Sequence, residues 1–394
     1  MLAILHALVP DACVTEHEQG QRPVKKVLIV GGCGFVGSHT TDALLEHGHR
    51  VTIFDNLSKQ VHGDSFPSYM SPEAEFIQGD VRDLDAISEA IRGKDIIYNF
   101  AAAVGVGQSM YEISNYMGSN SQGTANLLQA ILDTRSQPEK LIVASSMSIY
   151  GEGRYVCPTC GDIAPRTRLA AQLKHKDWEI HCPECNQITK PAPTDEEKPL
   201  QCTSIYALSK KAQEEMTLIF GQTYGIPAVA LRYFNIYGPR QALSNPYTGV
   251  AAIFASRLMN GKSPVVFEDG HQLRDFVNVH DIVQANLLAL SSSGADGMAL
   301  NVGSGTPVTV RQIANEIASM LGIQVPLEIS GQCRAGDIRH CYADISRISS
   351  TLGYVPSVQL REGMAELVGW LGSQQAQDHT EEAMQHLAVR GLVA

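Results

Sequence analysis

The sequence predicts an α/β protein with a doubly wound parallel sheet, and three observations support this. A buried-strand pattern, Val27 to Val30, runs directly into a glycine-rich turn and then into a helical pattern. Strand and helix patterns alternate from there to Ser145. An acidic residue, Asp55, ends the second predicted strand, about 20 residues beyond the glycine turn. Such alternation builds a parallel sheet that binds its ligand at the carboxyl ends of the strands.

The glycine turn has the form of an anion site. Gly31, Gly34 and Gly37 follow a G-x-x-G-x-x-G spacing, which matches the G-x-G-x-x-G dinucleotide fingerprint only in part. Glycines allow a phosphate to approach the backbone N–H groups of a helix N-terminus. Asp55 would accept hydrogen bonds from both ribose hydroxyls and repel a 2′-phosphate, which favours NAD over NADP. The structural alternative for Asp55 is a strand-end residue that caps the next loop.

Length and composition limit the class of protein. The chain has 394 residues, enough for one large domain or two closely joined ones. A formal net charge of -11 and an acidic isoelectric point argue against a nucleic-acid or anionic-membrane partner. Cysteines outside two C-x-x-C pairs follow no disulfide framework, which favours a cytoplasmic protein. Residues 1–24 begin with a short apolar run and are interpreted as an extension, with a poor signal peptide as the alternative. The other apolar runs are too short to span a membrane.

The segment from Ser204 to Lys210 carries a tyrosine and a lysine at the start of a helical pattern. Their four-residue spacing puts Tyr206 and Lys210 on one helical face. An ammonium group at this distance is expected to lower the phenol pKa from roughly 10 towards neutrality, so that Tyr206 can accept a proton. Taken alone, the pair arises often by chance, usually as an aromatic anchor beside a solvated lysine.

Together these segments resemble the extended short-chain dehydrogenases/reductases, the group that contains the NAD-dependent nucleotide-sugar epimerases and dehydratases. The resemblance implies a Rossmann NAD-binding domain over residues 25–235 and a mainly substrate-binding domain over residues 236–375. The tail over residues 376–394 is polar and then weakly helical, and it is assigned no function. The resemblance also implies a homodimer, with the helix at Gly123 to Leu132 and the helix after Tyr206 as candidate contacts. The stretches that carry the resemblance are Gly31 to Gly37, Asp55 to Ser58, Asp80-Val81, Phe100 to Ala103, Asn120, Ser145-Ser146, Tyr150-Gly151, Tyr206, Lys210, Arg232 to Asn235 and Arg274 to Phe276.

The family's functional positions carry over residue by residue. Ser146, Tyr206 and Lys210 match the catalytic positions. Besides the three glycines, Tyr206 and Lys210, the positions that match NAD-contacting residues are Phe35, Val36, Asp55, Asn56, Leu57, Ser58, Asp80, Val81, Phe100, Ala101, Ala102, Asn120 and Phe234. Besides Ser146 and Tyr206, the positions that match residues holding the nucleoside-diphosphate sugar are Asn235, Arg274, Arg334 and Asp337. From the sequence alone, a turn-capping Asp80 and solvated Arg274 and Arg334 are the alternatives.

The resemblance implies epimerisation at C4 of the sugar. Bound NAD would take the hydride from C4 while Tyr206 removes the hydroxyl proton, and the 4-keto sugar would then receive the hydride on its opposite face. Ser146 would hold the hydroxyl and shuttle its proton, and Lys210 would hold the nicotinamide ribose. The rival is a 4,6-dehydratase, but Met147 and Ser148 stand where that branch carries an Asp-Glu pair.

Several stretches resemble the dTDP-L-rhamnose 4-epimerase group in more detail. They are Gln60 to Gly63, Ala102 to Tyr111, the cysteine-bearing insertion at residues 153–198, Gly238 to Tyr247 and Arg334 to His340. A UDP-hexose or UDP-hexuronate 4-epimerase is the alternative, because no residue indicates whether C6 carries a methyl, hydroxyl or carboxylate group. A non-catalytic NAD or zinc-ribbon interaction protein is the alternative from a different class.

Residues 153–198 form an insertion with two C-x-x-C pairs, Cys157 with Cys160 and Cys182 with Cys185. Two such knuckles can complete a tetrahedron of thiolates, so we expect structural zinc in a zinc-ribbon-like lobe. Redox-active cysteines or a metal-free ribbon are the alternatives. Because the lobe lies in sequence between Ser146 and Tyr206, we expect it to cover or shape the sugar pocket. Basic residues of the lobe, including Arg168, suggest nucleic acid only weakly in so acidic a chain.

Overall fold

The computed structural model describes residues 23–372, 374 and 378–393. The predicted extension, residues 1–24, therefore lies outside the described residues apart from its last two. The strands are β1 (Lys26–Val30), β2 (Arg50–Asp55), β3 (Glu75–Gln78), β4 (Ile96–Asn99), β5 (Lys140–Ser146), β6 (Arg154–Cys157), β7 (Gly161–Ile163), β8 (Lys190–Ala192), β9 (Ala228–Tyr233), β10 (Asn235–Tyr237), β11 (Val265–Val266), β12 (Leu273–Asn278), β13 (Ala299–Val302), β14 (Pro307–Thr309) and β15 (Glu328–Ile329).

The helices alternate with these strands over most of the chain. They are α1 (Phe35–Glu46), α2 (Lys59–His62), α3 (Leu84–Ala90), α4 (Val106–Ser109), α5 (Ile113–Tyr116), α6 (Gly123–Asp133), α7 (Ala170–Lys174), α8 (Ile205–Tyr224), α9 (Val250–Met259), α10 (Val279–Ser291), α11 (Val310–Met320), α12 (Ser346–Leu352), α13 (Leu360–Leu371) and α14 (Thr380–Val389). A π-helical turn, Met117–Gln122, leads into α6, and a 3₁₀ turn, Met147–Tyr150, follows β5. None of the described helices is both long enough and apolar enough to cross a membrane.

A seven-stranded parallel sheet in the order β13-β9-β5-β4-β1-β2-β3 forms the centre of the molecule. Its strands are apolar on both faces because helices cover both sides. In β1, Val27 and Ile29 join one apolar cluster and Leu28 and Val30 join another, as the two-residue period of a strand requires. The predicted doubly wound parallel sheet is confirmed.

The later part of the chain adds a smaller unit beside this sheet. Strands β10, β12 and β14 form a small sheet, and a separate apolar cluster packs α9, α11 and α13 together. One strand of the segment predicted to be mainly substrate-binding, β13, instead pairs with β9 of the large sheet. The chain therefore passes back through the large sheet before the smaller unit is complete.

The insertion folds as a lobe around a three-stranded antiparallel sheet in the order β7-β6-β8. Cys157 ends β6, and Cys160 lies in the turn that leads to β7. The second cysteine pair lies in a hairpin closed by a bridge between His181 and Ile188. Each cysteine pair is thus carried by a tight turn between extended segments.

Candidate active site

The predicted cofactor residues follow the carboxyl ends of neighbouring strands in the large sheet. Gly31 follows β1 and Phe100 follows β4, while Asp55 is the last residue of β2 and Ser146 the last residue of β5. Because these strands are parallel, their carboxyl ends lie along one edge of the sheet. The fold therefore brings the two ends of the predicted site, the glycine turn and Ser146, to the same edge.

The glycine turn is packed too tightly for larger residues. Gly31 has a φ of +85°, and a Cβ there would lie 2.6 Å from the backbone nitrogen of Ala101. A Cβ on Gly37 would lie 2.4 Å from the carbonyl oxygen of Gly31. Helix α1 begins at Phe35, directly after Gly34. Because Gly34 has no side chain to cap the helix, the first N–H groups of α1 remain available to an anion. This arrangement fits the pyrophosphate of NAD.

Asp55 holds the loop that follows β2. One of its carboxylate oxygens accepts a hydrogen bond from the Cys33 N–H at 3.0 Å, and the other accepts from the Leu57 N–H at 2.9 Å. Leu57 adopts a φ of +51°, an uncommon value for a leucine. Each oxygen keeps a second lone pair, so Asp55 can still accept from ribose hydroxyls. The capping role and the predicted ribose role are compatible.

Asp80 is paired with an arginine that the sequence reasoning did not include. Arg82 donates to both oxygens of Asp80, at 2.9 and 2.6 Å, and Asn56 donates to one of them at 3.0 Å. The Arg82 hydrogen bonds, opposed in part by burial, hold the pKa of Asp80 well below its usual range. Asp80 is therefore an ionised carboxylate held by neighbours.

Asn120 joins the loop after β4 to helix α8. Its amide accepts from the Ala103 N–H at 2.7 Å and donates to the Ala103 carbonyl at 3.1 Å. It also donates to the Ser209 hydroxyl at 2.8 Å, one residue before Lys210. The structure gives Asn120 a positioning role that its predicted contact with NAD did not imply.

The remaining predicted cofactor residues line the same edge of the sheet or lie beneath it. Phe35, Val36, Phe100, Ala101 and Ala102 are partly buried, and Ser58 precedes α2 on the surface. Val81 and Phe234 are buried, at the ends of β3 and β9. These positions stay predictions for NAD contact.

Helix α8 begins at the predicted catalytic segment. The Ser204 hydroxyl caps the helix by accepting from the Ala207 N–H at 3.1 Å. Tyr206 lies in the first turn, buried, with its ring edge-on to Tyr116 at 6.3 Å. Lys210 lies one turn later, and its ammonium donates to the Ala144 carbonyl of β5 at 2.8 Å. The predicted helical register of the pair is correct.

The expected effect of Lys210 on the pKa of Tyr206 is wrong for the protein without cofactor. Burial raises the pKa of Tyr206, and only its hydrogen bond with Ser146 lowers it. Burial also lowers the pKa of Lys210 to about 7, so this residue is a weaker source of positive charge than an ordinary lysine. The four-residue spacing indicates proximity on a helix but contains no information on desolvation.

Ser146 is oriented by a residue two positions further along the chain. Ser148 donates its backbone N–H to the Ser146 oxygen at 3.2 Å and its hydroxyl at 3.0 Å. Because both lone pairs of Ser146 are then occupied, its own proton is directed to Tyr206 or to a bound hydroxyl. Ser148 entered the sequence analysis only as the residue that replaces a dehydratase acid, so its positioning role was missed.

A buried ion pair fixes α8 against the sheet. Glu214 lies two turns beyond Tyr206 and accepts from Arg232 of β9 at 2.5 to 3.2 Å. It also accepts from the Ser145 hydroxyl at 2.6 Å, beside Ser146. The same carboxylate thus sets the position of the catalytic helix and of the strand that carries the catalytic serine.

The predicted substrate residues lie on the smaller unit and on a loop that reaches it. The side-chain oxygen of Asn235 is buried and has no hydrogen-bond partner among the described residues. Arg274 donates to the carbonyls of Leu273, Ile338 and Arg339 at 2.6 to 2.9 Å. Its guanidinium therefore binds the backbone of the loop, a contact the sequence reasoning did not anticipate.

Arg334 and Asp337 form an ion pair with each other, with nitrogen–oxygen distances of 2.8 and 3.2 Å. The Arg334 guanidinium also lies over the Phe267 ring, 4.5 Å from its centroid. The tail reaches this point, because Val393 forms a backbone bridge with Arg334. The sequence analysis gave the tail no role, and the structure places its described end beside a predicted substrate residue.

The four cysteines of the lobe lie together. Their sulfur atoms are all within 4.8 Å of one another, and the sulfurs of Cys157 and Cys185 are 3.4 Å apart. A tetrahedral zinc–thiolate site with bonds near 2.3 Å separates its sulfurs by about 3.8 Å. The donor set and its spacing fit zinc.

Comparison with known proteins identifies the family of the chain. The model of the NAD dependent epimerase/dehydratase family matches residues 27–172 and 183–303, and the gap between the two matched stretches lies inside the lobe. The chain is 32% identical to a dTDP-L-rhamnose 4-epimerase of Burkholderia thailandensis over 354 residues, 89% of this chain and 96% of that protein. It is 30% identical to a UDP-glucose 4-epimerase of Mycolicibacterium smegmatis over 349 residues, 87% and 97% of the two chains.

A solved structure shares the fold. The Thermus thermophilus UDP-glucose 4-epimerase in complex with NAD superimposes with a TM-score of 0.69 at 28% identity, covering 89% of this chain and all of that one. The relatives' names agree with the predicted class of NAD-dependent epimerase. The chain belongs to the NAD-dependent epimerase/dehydratase family, as its sequence predicts.

Proposed function

We propose that this protein is an NAD-dependent nucleotide-sugar 4-epimerase, with dTDP-L-rhamnose as its substrate. The observation that carries the proposal is the group formed by Ser146, Tyr206 and Lys210 at the edge of the sheet. Tyr206 and Lys210 lie one turn apart on α8, Lys210 is held on the Ala144 carbonyl at 2.8 Å, and Ser146 lowers the pKa of Tyr206. These are the side chains that a reaction at a sugar hydroxyl requires, beside a glycine turn that fits a dinucleotide.

The cofactor, when bound, supplies reversible hydride acceptance and donation at C4. Tyr206 would take the proton from the C4 hydroxyl and return it after the 4-keto sugar has rotated to present its opposite face. Ser146 would hold the same hydroxyl, because Ser148 occupies both of its lone pairs and leaves its proton directed outwards.

The residues beside Ser146 argue against dehydration. Elimination of water across C5 and C6 needs an acid and a base, and Met147 and Ser148 offer neither a carboxylic acid nor a carboxylate. Met147 is buried in the apolar cluster behind the sheet, and Ser148 points at Ser146. Epimerisation is therefore the reaction that this set of side chains supports.

The choice of dTDP-L-rhamnose rests on the resembling stretches and on the Burkholderia relative. UDP-hexoses, favoured by the Mycolicibacterium relative, and UDP-hexuronates are the second candidates. Purified protein should be incubated with dTDP-L-rhamnose, UDP-glucose and UDP-glucuronate, and the C4 epimers measured by chromatography and NMR. Turnover should be fastest with dTDP-L-rhamnose and should fall by about 10² to 10⁴ in Tyr206→Phe, which keeps its NAD.

Two outcomes would contradict the proposal. Absence of turnover with every nucleotide sugar, despite bound NAD, would favour a non-catalytic NAD-binding protein. Release of a stable 4-keto-6-deoxy sugar would identify a dehydratase.

We also propose that Cys157, Cys160, Cys182 and Cys185 bind one structural zinc ion in a zinc-ribbon-like lobe. Four thiolates complete the coordination, so the metal would stabilise the lobe without taking part in the reaction. Elemental analysis should find one zinc per chain, and Cys160→Ser with Cys185→Ser should abolish it. A chain that is free of metal after purification without chelator, yet correctly folded, would contradict the assignment.

A cytoplasmic homodimer is the assembly and location we propose. The eight cysteines in the described part of the chain form no disulfide, which suits a reducing compartment. Leu208, Ile219 and Tyr224 are exposed on α8, which the resemblance implies as a dimer contact. Light scattering should give twice the chain mass, and Ile219→Asp should give the monomer mass if this face forms the contact.

A further inference from the structure

A largely buried charge cluster lies between the cysteine lobe and the predicted substrate residues. We define the cluster as Glu152, Arg168, Glu179, Glu268, Asp269 and Arg339. The side chains of Arg168, Glu268 and Arg339 are at most 2% exposed, whereas those of Glu179 and Asp269 at its margin are 36% and 34% exposed. Ionised groups are rarely buried unless they are paired, so the arrangement of this cluster needs an explanation.

The lobe supplies two members of the cluster from the segment between its cysteine pairs. Arg168 pairs with Glu268 at 2.7 Å and donates to the Trp178 carbonyl at 3.0 Å. Glu179, three residues before Cys182, accepts from Arg339 at 2.5 and 3.1 Å. The charged contacts of the lobe therefore depend on how the segment between the two cysteine pairs is folded.

The other side of the cluster is the loop of residues 333–341. Arg339 reaches Glu268 at 3.0 Å and both oxygens of Asp269 at 2.6 and 2.9 Å, while its backbone N–H donates to Glu152. The carbonyls of Ile338 and Arg339 accept from Arg274. A displacement of Arg339 would therefore displace the predicted diphosphate ligand Arg274.

Glu268 connects the cluster to Arg334. Glu268 has a φ of +55°, which is unfavourable for a glutamate and persists only where surrounding contacts impose it. Its carboxylate is held by Arg168 and Arg339 together. The preceding residue, Phe267, carries the Arg334 guanidinium on its ring. The same two arginines thus stabilise the surface on which the second predicted phosphate ligand rests.

We propose that Arg339 is a positioning residue for nucleotide-sugar binding, through which the lobe's Arg168 and Glu179 set the placement of Arg274 and Arg334. This inference rests on the proposed function. If Arg339 had a purely structural role, its substitution would change the free energy of unfolding alone. A positioning residue must in addition change nucleotide affinity and KM while leaving kcat and NAD content nearly unchanged, because Ser146, Tyr206 and Lys210 are held by other contacts.

The test compares wild type, Arg339→Lys, Glu179→Gln and the control Glu197→Gln. Arg339→Lys keeps the charge but removes the fork that joins Glu179, Glu268 and Asp269. Glu179→Gln keeps the shape and removes the charge on the lobe side. Glu197 lies on the surface and pairs with Arg347 at 2.6 Å, so the same chemical change is made outside the cluster.

Calorimetry with dTDP and with UDP on the NAD-loaded protein gives a readout that does not depend on turnover. We expect both cluster variants to bind each nucleotide at least about tenfold more weakly than wild type, with a matching rise in KM. The control should keep the wild-type values. Cluster variants that bind as tightly as wild type, or that lose kcat and NAD together with affinity, would overturn this inference alone. Wild-type protein that binds neither nucleotide would overturn the proposed function and the inference with it.

Discussion

Replacing Glu214 by alanine should show how much stability is lost when a buried charge loses its partner. The loss of a surface ion pair on the same helix provides the comparison. Glu214 is 2% exposed and accepts three hydrogen bonds from Arg232 and one from Ser145. In the alanine variant Arg232 stays buried with the Tyr150 hydroxyl and the Glu196 carbonyl as its remaining partners. Breaking a buried pair in this way costs about 3–5 kcal/mol, a large part of the total stability of a domain.

Glu215→Ala is the matched control, because it removes a neighbouring carboxylate from the same helix. Glu215 pairs with Lys211 at 2.9 Å, and the side chains of the two are 50% and 30% exposed. A pair of this kind contributes about 0.3–0.5 kcal/mol. Urea unfolding followed by circular dichroism should therefore show roughly a tenfold difference between the two variants in lost free energy of unfolding.

The double variant Glu214→Met, Arg232→Met completes the experiment. Two apolar side chains of similar length should restore most of the stability, because no charge is left unpaired. Turnover should stay low, since α8 and β5 would no longer be held in register by a directional contact. The reasoning is refuted if Glu214→Ala loses less than about 1 kcal/mol, or if the double variant regains full activity together with stability.

Three further outcomes follow from the site. Burial lowers the pKa of Lys210 to about 7, so this residue binds more protons in the unfolded chain than in the folded protein between that pH and about 10.5, and its contribution to the free energy of unfolding should rise with pH across this window. Urea unfolding at several pH values should show this rise as a difference in slope between wild type and Lys210→Met; equal slopes would contradict the assignment. Ser148→Ala removes the hydroxyl that holds Ser146 and should lower kcat by about two- to tenfold with KM unchanged, and a change in KM alone would contradict that role. Truncation after residue 377 removes the buried pairing of Asp378 with Arg257 and the backbone contacts at Arg334, and should lower the thermal midpoint and weaken dTDP binding, whereas a change in the midpoint alone would limit the tail to packing.

The sequence allowed the sheet and its carboxyl edge to be predicted because both depend on local signals. Buried strands such as β1 read as continuous apolar runs, and the glycine turn and Asp55 lie at fixed distances along the chain. Tyr206 and Lys210 are also a local pattern, four residues apart. Their helical register was therefore predictable, although the desolvation that determines both pKa values was not.

The contacts that position the site join residues far apart in sequence, and no pattern pairs them. Arg168 and Glu268 are 100 residues apart, and Arg339 and Glu179 are 160 apart. Arg168 was interpreted as one of several basic residues of a polar lobe, yet it is buried. One signal was present for Glu214, because it follows Tyr206 and Lys210 at the same four-residue interval and so lies on the same helical face.

Two groups of largely buried ion pairs in the described part of the chain lie behind the two places where the reaction would need fixed geometry. One pair, Glu214 with Arg232, lies behind the catalytic helix, and the cluster around Arg339 lies behind the predicted phosphate ligands. Apolar side chains of similar volume would serve stability equally well or better at such positions. They would not fix the direction of a neighbouring group, since apolar packing is not directional, whereas a forked guanidinium–carboxylate contact is. The placement of these ion pairs is therefore better explained by the orientation of Ser146, Tyr206 and Arg274 than by the stability of the fold.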